Sequence, residues 1–341
     1  MDSAVRTRRA ADGERKRGAD RRGRRWGSIG CGVLLAMLLV LLVVRLTGVD
    51  AGTPLAVPVV LFPYAGALGL LALIATIAVP ALRSWPLVIG AALLAVAYVV
   101  LLVPRFVPDD ERHIPAGAPE LRVATLNTHV GRGDARALVQ LVKSERIDVL
   151  AVQELPSAGI DAFAEAGLGE VLPYQELHPE NDSSLYSRIP LTRGGPLEAD
   201  TAWPQTTAQV TVGGRAVRLV AVHTYYPLGD AQRWTRDMTA LTAVARDGGA
   251  DTVFLGDFNA SLDHAPMRDL LASGGLTDTH AELGKGWART WPAGKGLLPP
   301  LVPLDHVVHG PGLAGLSVGE RTVPGTDHRA VVATLALLPT A

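Results

Sequence analysis

Acidic, amide and histidine side chains follow the apolar runs from residue 121 onward, close to the point where each run ends. The most informative example is the string LGDFN at residues 255–259, which places Asp257 and Asn259 two positions apart. A carboxylate beside an amide donor suits metal-assisted cleavage of a phosphoester. The other side chains of this set are Asn127, Glu154, His223, Asp305, Asp327 and His328.

Short apolar runs predict the strands that position these side chains, each of which is expected at the carboxyl end of a strand or just beyond it. A Gly-Gly pair at residues 213–214 is typical of a hairpin turn. Asp134 and Asp230 precede stretches with helical spacing and are predicted to cap helices. Strands therefore alternate with helices and hairpins, which indicates a layered α/β domain with mixed sheets. The predicted strands are residues 121–126, 147–152, 184–187, 209–212, 216–222, 252–255, 304–308 and 330–337.

Charge divides the chain into three regions. Residues 1–26 carry ten Arg or Lys and four acidic residues, whereas residues 27–104 carry only two arginines and one aspartate. Residues 105–341 hold 20 basic and 28 acidic residues, a net charge of −8. The last region has the composition and length of one globular domain that can bury a sizeable core.

Three apolar stretches in the nearly uncharged region predict membrane spans, at residues 29–44, 57–79 and 85–103. A helix needs roughly 20 apolar residues to cross the hydrocarbon core. A cleaved signal peptide followed by core helices is the alternative for the first stretch, but no small-residue cleavage site precedes a polar sequence. The basic N-terminus favours a cytoplasmic tail, and three spans then place the last region outside the cell.

The predicted organisation is a basic cytoplasmic tail at 1–27, a transmembrane region of three helices at 28–104, a linker at 105–120 and a catalytic domain at 121–341. Prolines without regular periodicity predict that the linker is a stiff, extended tether. The single cysteine, Cys31, excludes an intrachain disulfide.

The order of the motifs resembles the endonuclease/exonuclease/phosphatase superfamily over about residues 120–338. The strings that carry the resemblance are TVFLGDFNAS around Asp257 and GTDHR at residues 325–329, in which Thr326 replaces a serine. The resemblance implies a four-layered α/β sandwich that hydrolyses phosphoester bonds with Mg²⁺ or Mn²⁺.

The same resemblance assigns metal binding to Asn127, Glu154 and Asp327. Carboxylate oxygens suit a hard cation, and a neutral amide supports such a site without adding repulsion. Each residue also has a structural interpretation without a metal. Glu154 would then be a helix-capping or surface acid, and Asn127 would be a turn residue that closes the first strand.

The catalytic assignments also follow from the resemblance. Asp257 would position or deprotonate the attacking water, and Asn259 would contact the scissile phosphate. His223 would steady the phosphate or the leaving oxygen. His328 would lie against the phosphate, oriented by the carboxylate of Asp305. Trp291 is a weaker candidate, which shapes the pocket or only packs.

Two departures from the family pattern bear on the substrate. Pro156 and Pro303 stand where many nucleolytic relatives carry arginine, and the domain has a net negative charge. Because proteins that grip duplex DNA neutralise several phosphates with Lys or Arg, the sequence favours a small or lipid-borne phosphoester, with the lipid bilayer as a second partner. The alternatives are an outward-facing nuclease and a noncatalytic membrane-tethered binding domain. A transporter is disfavoured because the predicted spans lack intramembrane acids, and no protein partner is indicated.

Overall fold

The computed structural model describes residues 2–109, 114–179, 182–294, 296 and 299–339, with side chains from Arg22 onward. The chain forms two units, one of residues Met1–Leu46 and Leu61–Leu102, the other of Thr47–Val60 and Val103–Ala341. Part of the predicted linker, residues 110–113, lies outside the described residues. The helices are α1 (Asp2–Thr47), α2 (Ala56–Val59), α3 (Phe62–Ala78), α4 (Trp85–Leu102), α5 (Ala135–Ser144), α6 (Ser157–Glu165), α7 (Leu168–Val171), α8 (Pro227–Asp247), α9 (Ala265–Gly274) and α10 (Thr279–Glu282).

The first unit consists of the apolar helices α3 and α4 and the apolar second half of α1, which pack on one another. Leu38, Phe62 and Tyr98 share its buried core, and the Tyr98 hydroxyl donates to the carbonyl of Leu38 at 2.9 Å. Two helices of the described chain, Arg22–Thr47 and Trp85–Phe106, have the length and hydropathy of membrane spans. The second predicted span, at 57–79, corresponds to Phe62–Ala78, which at 17 residues is a shorter apolar helix, so the count of three spans stays a prediction.

Two six-stranded sheets form the centre of the second unit. The strands are β1 (Glu120–Asn127), β2 (Val149–Gln153), β3 (Tyr174–Glu176), β4 (Ser183–Ser187), β5 (Thr192–Pro196), β6 (Thr206–Val212), β7 (Arg215–His223), β8 (Thr252–Asp257), β9 (Thr277–Asp278), β10 (Asp305–His309), β11 (Leu313–Thr322) and β12 (Arg329–Leu337). The strand orders of the two sheets are β11-β12-β1-β2-β4-β3 and β5-β6-β7-β8-β10-β9.

Three hydrophobic clusters define the layers. One cluster lies between the sheets and joins residues such as Val123 and Val253. A second joins the first sheet to α5 and α6, for example through Leu138, and a third joins the other sheet to α8 and α9 through Trp234. The order helix, sheet, sheet, helix is the expected four-layered α/β sandwich. Since β2 and β8 are buried on both faces, they show as continuous apolar runs in the sequence.

The predicted helix caps are confirmed. Asp134 accepts from the backbone N–H of Ala137 at 2.9 Å and begins α5. Asp230 lies at a break within α8, where its carboxylate accepts from the backbone N–H groups of Gln232 and Arg233, both at 3.0 Å. Strand β11 was not predicted, because a bulge between Gly315 and Ser317 interrupts the alternation that marks a strand.

The segment Thr47–Val60 belongs to the sandwich unit, although more than 40 residues of the first unit separate it from the rest of the sandwich in the sequence. Asp50 accepts from the backbone N–H of Ala265 at 2.8 Å, and the N–H of Gly52 donates to the Thr235 hydroxyl at 2.7 Å. His264 donates from Nε2 to the carbonyl of Ala56 at 2.9 Å. The sequence predicted a loop before residue 57 and the start of the second span from residue 57 onward, whereas the structure places the whole segment in the sandwich unit.

The described start of the predicted linker is also held to the sandwich. Arg105 forms a bidentate ion pair with the buried carboxylate of Asp263, in which Nη1 donates to Oδ2 at 2.8 Å and Nη2 donates to Oδ1 at 2.6 Å. The backbone N–H of Asp109 donates to the carbonyl of Glu282 at 2.9 Å. These residues therefore do not extend away from the sandwich, in contrast to the expected tether.

Candidate active site

Two parallel strand pairs bring four of the predicted side chains to the edge of the sandwich. In the first sheet Asn127 lies opposite Gln153, so Glu154 follows beside it. In the second sheet His223 lies opposite Asp257. Parallel strands end at the same edge, which explains why polar residues that follow separate apolar runs meet here.

Asp305, Asp327 and His328 reach the same edge from the amino ends of strands β10 and β12. Asp305 begins β10, which pairs antiparallel with β8 and places Asp305 opposite Asp257. Asp327 and His328 precede β12 and do not follow the earlier strand directly. The expectation that these three residues follow carboxyl ends of strands was wrong, because an antiparallel neighbour brings its amino end to that edge.

Glu154 presents its carboxylate to the pocket from an uncommon backbone conformation, with φ of 53°. Its Oε1 accepts from Asn127 Nδ2 at 2.9 Å, and its Oε2 accepts from the backbone N–H of Val130 at 2.9 Å. With 26% of its side chain exposed, Glu154 remains accessible to a ligand.

Asn127 connects two acids. Its Nδ2 donates to Glu154 Oε1 and, at 3.1 Å, to Asp257 Oδ2, while its Oδ1 accepts from the backbone N–H of His129. In this orientation the amide nitrogen faces the carboxylates and positions them. Metal binding by Asn127 stays a prediction.

Asp257 is buried at the centre of the site. Its Oδ1 accepts from the backbone N–H of Asn259 at 2.9 Å. Burial and the nearby charge of Asp305 raise the pKa of Asp257 to about 6, although the charges of His328 and His223 oppose the rise. Asp257 is thus a base whose pKa lies close to neutral pH.

His328 is held as a cation by two carboxylates. Its Nδ1 lies 2.8 Å from Asp305 Oδ2, and its Nε2 lies 3.7 Å from Asp257 Oδ2. Burial disfavours the charged imidazolium, but the charges of Asp305 and Asp257 raise the pKa of His328 to about 10. The loop that carries His328 is anchored because the Thr326 hydroxyl donates to the carbonyl of Asn127 at 2.6 Å.

His223 has a carboxylate partner that the sequence did not indicate. Asp182 Oδ2 lies 2.8 Å from His223 Nδ1, and Nε2 lies 3.9 Å from oxygens of both Glu154 and Asp257. Burial lowers the pKa of His223, but the hydrogen bond to Asp182 and the three acidic charges together raise it. Asp182 precedes β4 and follows no predicted strand. Its acidic side chain was therefore the only feature of the sequence that could have suggested it as a site residue.

The remaining predicted residues line the same cavity. Asn259 donates from Nδ2 to the carbonyl of Thr224 at 3.1 Å. Asp327 lies with one oxygen 3.5 Å from His129 Nδ1. Trp203 stacks on the His223 ring with a centroid distance of 4.8 Å. The cavity has a volume of about 430 Å³, and Trp203, Tyr226 and Trp291 are its aromatic walls.

A sequence model of the Endonuclease/Exonuclease/phosphatase family matches residues 124–328, which include every predicted site residue. The chain belongs to this family. As a member of the endonuclease/exonuclease/phosphatase family, the protein is a metal-dependent hydrolase that acts on phosphoester bonds.

Solved structures show the same fold. Humanized D. rerio TDP2 is 18% identical over 63% of this chain and 98% of that chain, with a TM-score of 0.54. An endonuclease/exonuclease/phosphatase family protein from Bacteroides thetaiotaomicron is 15% identical over 64% and 98% of the two chains, with a TM-score of 0.52. D. rerio TDP2 complexed with single strand DNA product is 18% identical over 63% and 98%, with a TM-score of 0.51. Among curated proteins, no significant match is found.

The donor set suits the divalent cation that the family uses. Glu154 and Asp327 line the cavity with carboxylates, the ligands preferred by hard cations. A second group consists of Asp257, Asp305 and His328, whose potential ligand atoms lie within 4.8 Å of one another. Oδ1 of Asp305 is buried without a hydrogen-bond partner among the described residues, so this group also has an oxygen to offer.

Proposed function

We propose that this protein is a membrane-anchored, Mg²⁺- or Mn²⁺-dependent phosphoester hydrolase whose substrate is small or lipid-borne. The observation that carries the proposal is the position of Asp257, a buried base with a pKa of about 6, between the imidazoles of His223 and His328. We infer that the substrate phosphate lies against these three side chains.

In this proposal Glu154 and Asp327 hold the metal, supported by Asn127. When bound, a divalent cation polarises the phosphoryl oxygens and neutralises charge that develops on them.

The protein side chains then have separate roles. Asp257 takes a proton from the attacking water, which its pKa of about 6 allows near neutral pH. His328 and His223, whose pKa values are both raised, donate from Nε2 to phosphate oxygens. Asp305 and Asp182 position these imidazoles through Nδ1, and Asn259 contributes an amide to the phosphate.

The preference for a small or lipid-borne substrate rests on charge. Among the described residues, the cavity is lined by no arginine or lysine, and Pro156 lies on its rim. Duplex nucleic acid is bound mainly through such cations. The candidate spans Arg22–Thr47 and Trp85–Phe106 support membrane anchoring. With Phe62–Ala78 as a third span, the positive-inside rule would place the sandwich outside the cell.

An outward-facing nuclease is the second candidate. D. rerio TDP2, which shares the fold, is complexed with a single strand DNA product. In this chain Trp203, Tyr226 and Trp291 offer aromatic rings at the cavity, and rings of this kind stack on unpaired bases.

The test is hydrolysis by the purified full chain in detergent, with Mg²⁺, Mn²⁺ or chelator, of phospholipids, soluble phosphoesters, single-stranded DNA and plasmid. We expect metal-dependent turnover of phospholipids or soluble phosphoesters, and a loss of about 10²–10⁴-fold in kcat/KM for Asp257→Asn and His328→Ala. Glu154→Gln should lower metal affinity as well as rate. The control is Glu145→Gln, which removes an acid that pairs with Arg321 outside the cavity. DNA cleavage without activity on the other substrates would establish the nuclease instead.

A further inference from the structure

A second pocket adjoins the catalytic cavity and differs from it in chemistry. It has a volume of about 280 Å³ and shares Tyr226, Asn259, Trp291 and His328 with the catalytic cavity. Away from these shared residues its walls are apolar. They include Ala56, Val57, Val60, Leu228, Val302 and Leu304.

The polar side chain on the apolar side of this pocket is already satisfied. His264 donates from Nε2 to the carbonyl of Ala56 and accepts at Nδ1 from the backbone N–H of Ser261 at 2.8 Å. Burial lowers the pKa of His264, so its imidazole is neutral. Among the described residues, the side chains in this part of the pocket therefore offer no charge to a ligand, and an apolar ligand group is favoured there.

One wall comes from outside the part of the chain that defines the family. Ala56, Val57 and Val60 lie in the segment Thr47–Val60, whereas the family model matches residues 124–328. Val60 also directly precedes the residues that lead into the apolar helix α3. The apolar surface continues at the rim, where Leu228 is 79% exposed and Val57 is 38% exposed. Exposed apolar surface of this kind marks ligand grooves and membrane contacts.

We propose that this second pocket binds the hydrocarbon part of a lipid phosphoester whose phosphate lies in the catalytic cavity. The inference rests on the proposed phosphoesterase function for the polar end of the ligand. The pocket volume lies near the lower end of the roughly 300–1,000 Å³ of ligand sites, so it holds the part of one chain closest to the phosphate. The segment Thr47–Val60 is then a substrate-binding wall that selects lipid over soluble phosphoesters.

The test measures binding without turnover. Alkylphosphonates from methyl to hexyl have a carbon–phosphorus bond in place of the ester, and their binding to the full chain in amphipol with Mg²⁺ is followed by calorimetry. We expect Kd to fall about two- to fourfold for each added methylene. The double variant Val57→Ser, Leu228→Ser should flatten this dependence and leave the Kd of methylphosphonate unchanged. Leu316→Ser, a control at a leucine 39% exposed on β11 and outside the pocket, should keep the wild-type dependence.

A further variant, Val57→Phe, narrows the same wall without adding a polar group and should weaken hexylphosphonate more than methylphosphonate. A Kd that does not change with chain length in the wild type would overturn the hydrocarbon pocket. An unchanged chain-length dependence in both pocket variants would overturn its location. If the protein hydrolyses no phosphoester but its Kd still depends on chain length, the proposed function is refuted and the hydrocarbon-binding pocket is still supported.

Discussion

At the scale of single residues, the positive charge of His328 interacts with two buried carboxylates of the site. His328 Nδ1 lies 2.8 Å from Asp305 and its Nε2 lies 3.7 Å from Asp257. Burial works against the cation, but the charges of Asp305 and Asp257 raise the pKa of His328 to about 10. Because this folded-state pKa exceeds the unfolded value of about 6.5, the resulting stabilisation is complete below pH 6.5 and is lost as the pH rises toward 10.

Asp305→Asn should lower the pKa of His328 by about 1–3, because it removes the charge and the carboxylate acceptor that favour the imidazolium. Histidine resonances followed by NMR against pH in a chelator-treated sample measure this pKa directly. The alkaline limb of kcat/KM should move to lower pH in the same variant. Glu145→Gln, which removes an equal charge at the surface pair with Arg321, serves as the control. An unchanged His328 titration in Asp305→Asn would show that Asp305 does not set its charge.

At the scale of elements, the short segment Thr47–Val60 is held to the sandwich by buried side chains and hydrogen bonds. Ala56 and Val59 are fully buried, and Asp50 is buried with one oxygen accepting from the first N–H of α9. An acid at a helix amino end interacts favourably with the helix dipole. The chain between two apolar helices thus becomes part of the sandwich, close to the residues that carry the site.

Asp50→Ala should destabilise this attachment by about 1–3 kcal/mol, since it removes a charge-assisted hydrogen bond in a buried place. Hydrogen–deuterium exchange of the full chain should then speed up over Thr47–Val60 and the first turn of α9, with little change in β1 or β12. Asp161→Ala, at an exposed position of α6, should leave exchange as in the wild type. Equal protection in the Asp50 variant would mean that the apolar contacts of Ala56 and Val59 alone hold the segment.

For the molecule as a whole, charge and hydropathy define the proposed arrangement in the membrane. The tail at residues 1–26 has ten basic and four acidic residues, and the region 105–341 has a net charge of −8. Basic residues beside a first span keep that end in the cytoplasm. The three proposed spans would then carry the sandwich to the outer side, where a lipid-borne phosphoester of the outer leaflet would be within reach.

Labelling with a membrane-impermeant maleimide tests this orientation in a Cys31→Ser background, because Cys31 is the only cysteine of the chain. We expect Ser317→Cys, on the exposed surface of β11, to react in intact spheroplasts. Ser3→Cys in the basic tail should react only after lysis. Protection of both positions until lysis would mean an even number of spans with both ends in the cytoplasm. The reverse pattern would mean an odd number of spans in the opposite orientation, and labelling of both positions before lysis would point to leakage or mixed insertion.

Much of the catalytic constellation was predictable from the sequence. Asn127, Glu154, His223 and Asp257 end or follow buried strands, and the structure brings them to one edge. Such strands show in the sequence because burial on both faces requires a continuous apolar run, and this requirement is local. The caps at Asp134 and Asp230 were predictable for the same reason, since a cap bonds to N–H groups two or three residues away.

By itself, then, the sequence determined the family, through a resemblance that also implied the four-layered α/β class, and it predicted most side chains of the candidate site. Only the tertiary structure showed that Asp182 pairs with His223, that Asp305 approaches from the amino end of an antiparallel strand, and that Thr47–Val60 forms a wall of the second pocket. Asp50 and Ala265 are 215 positions apart. Contacts at such separations leave no periodic pattern in either partner, because what they satisfy is a buried polar or apolar surface that exists only once the sheets have packed.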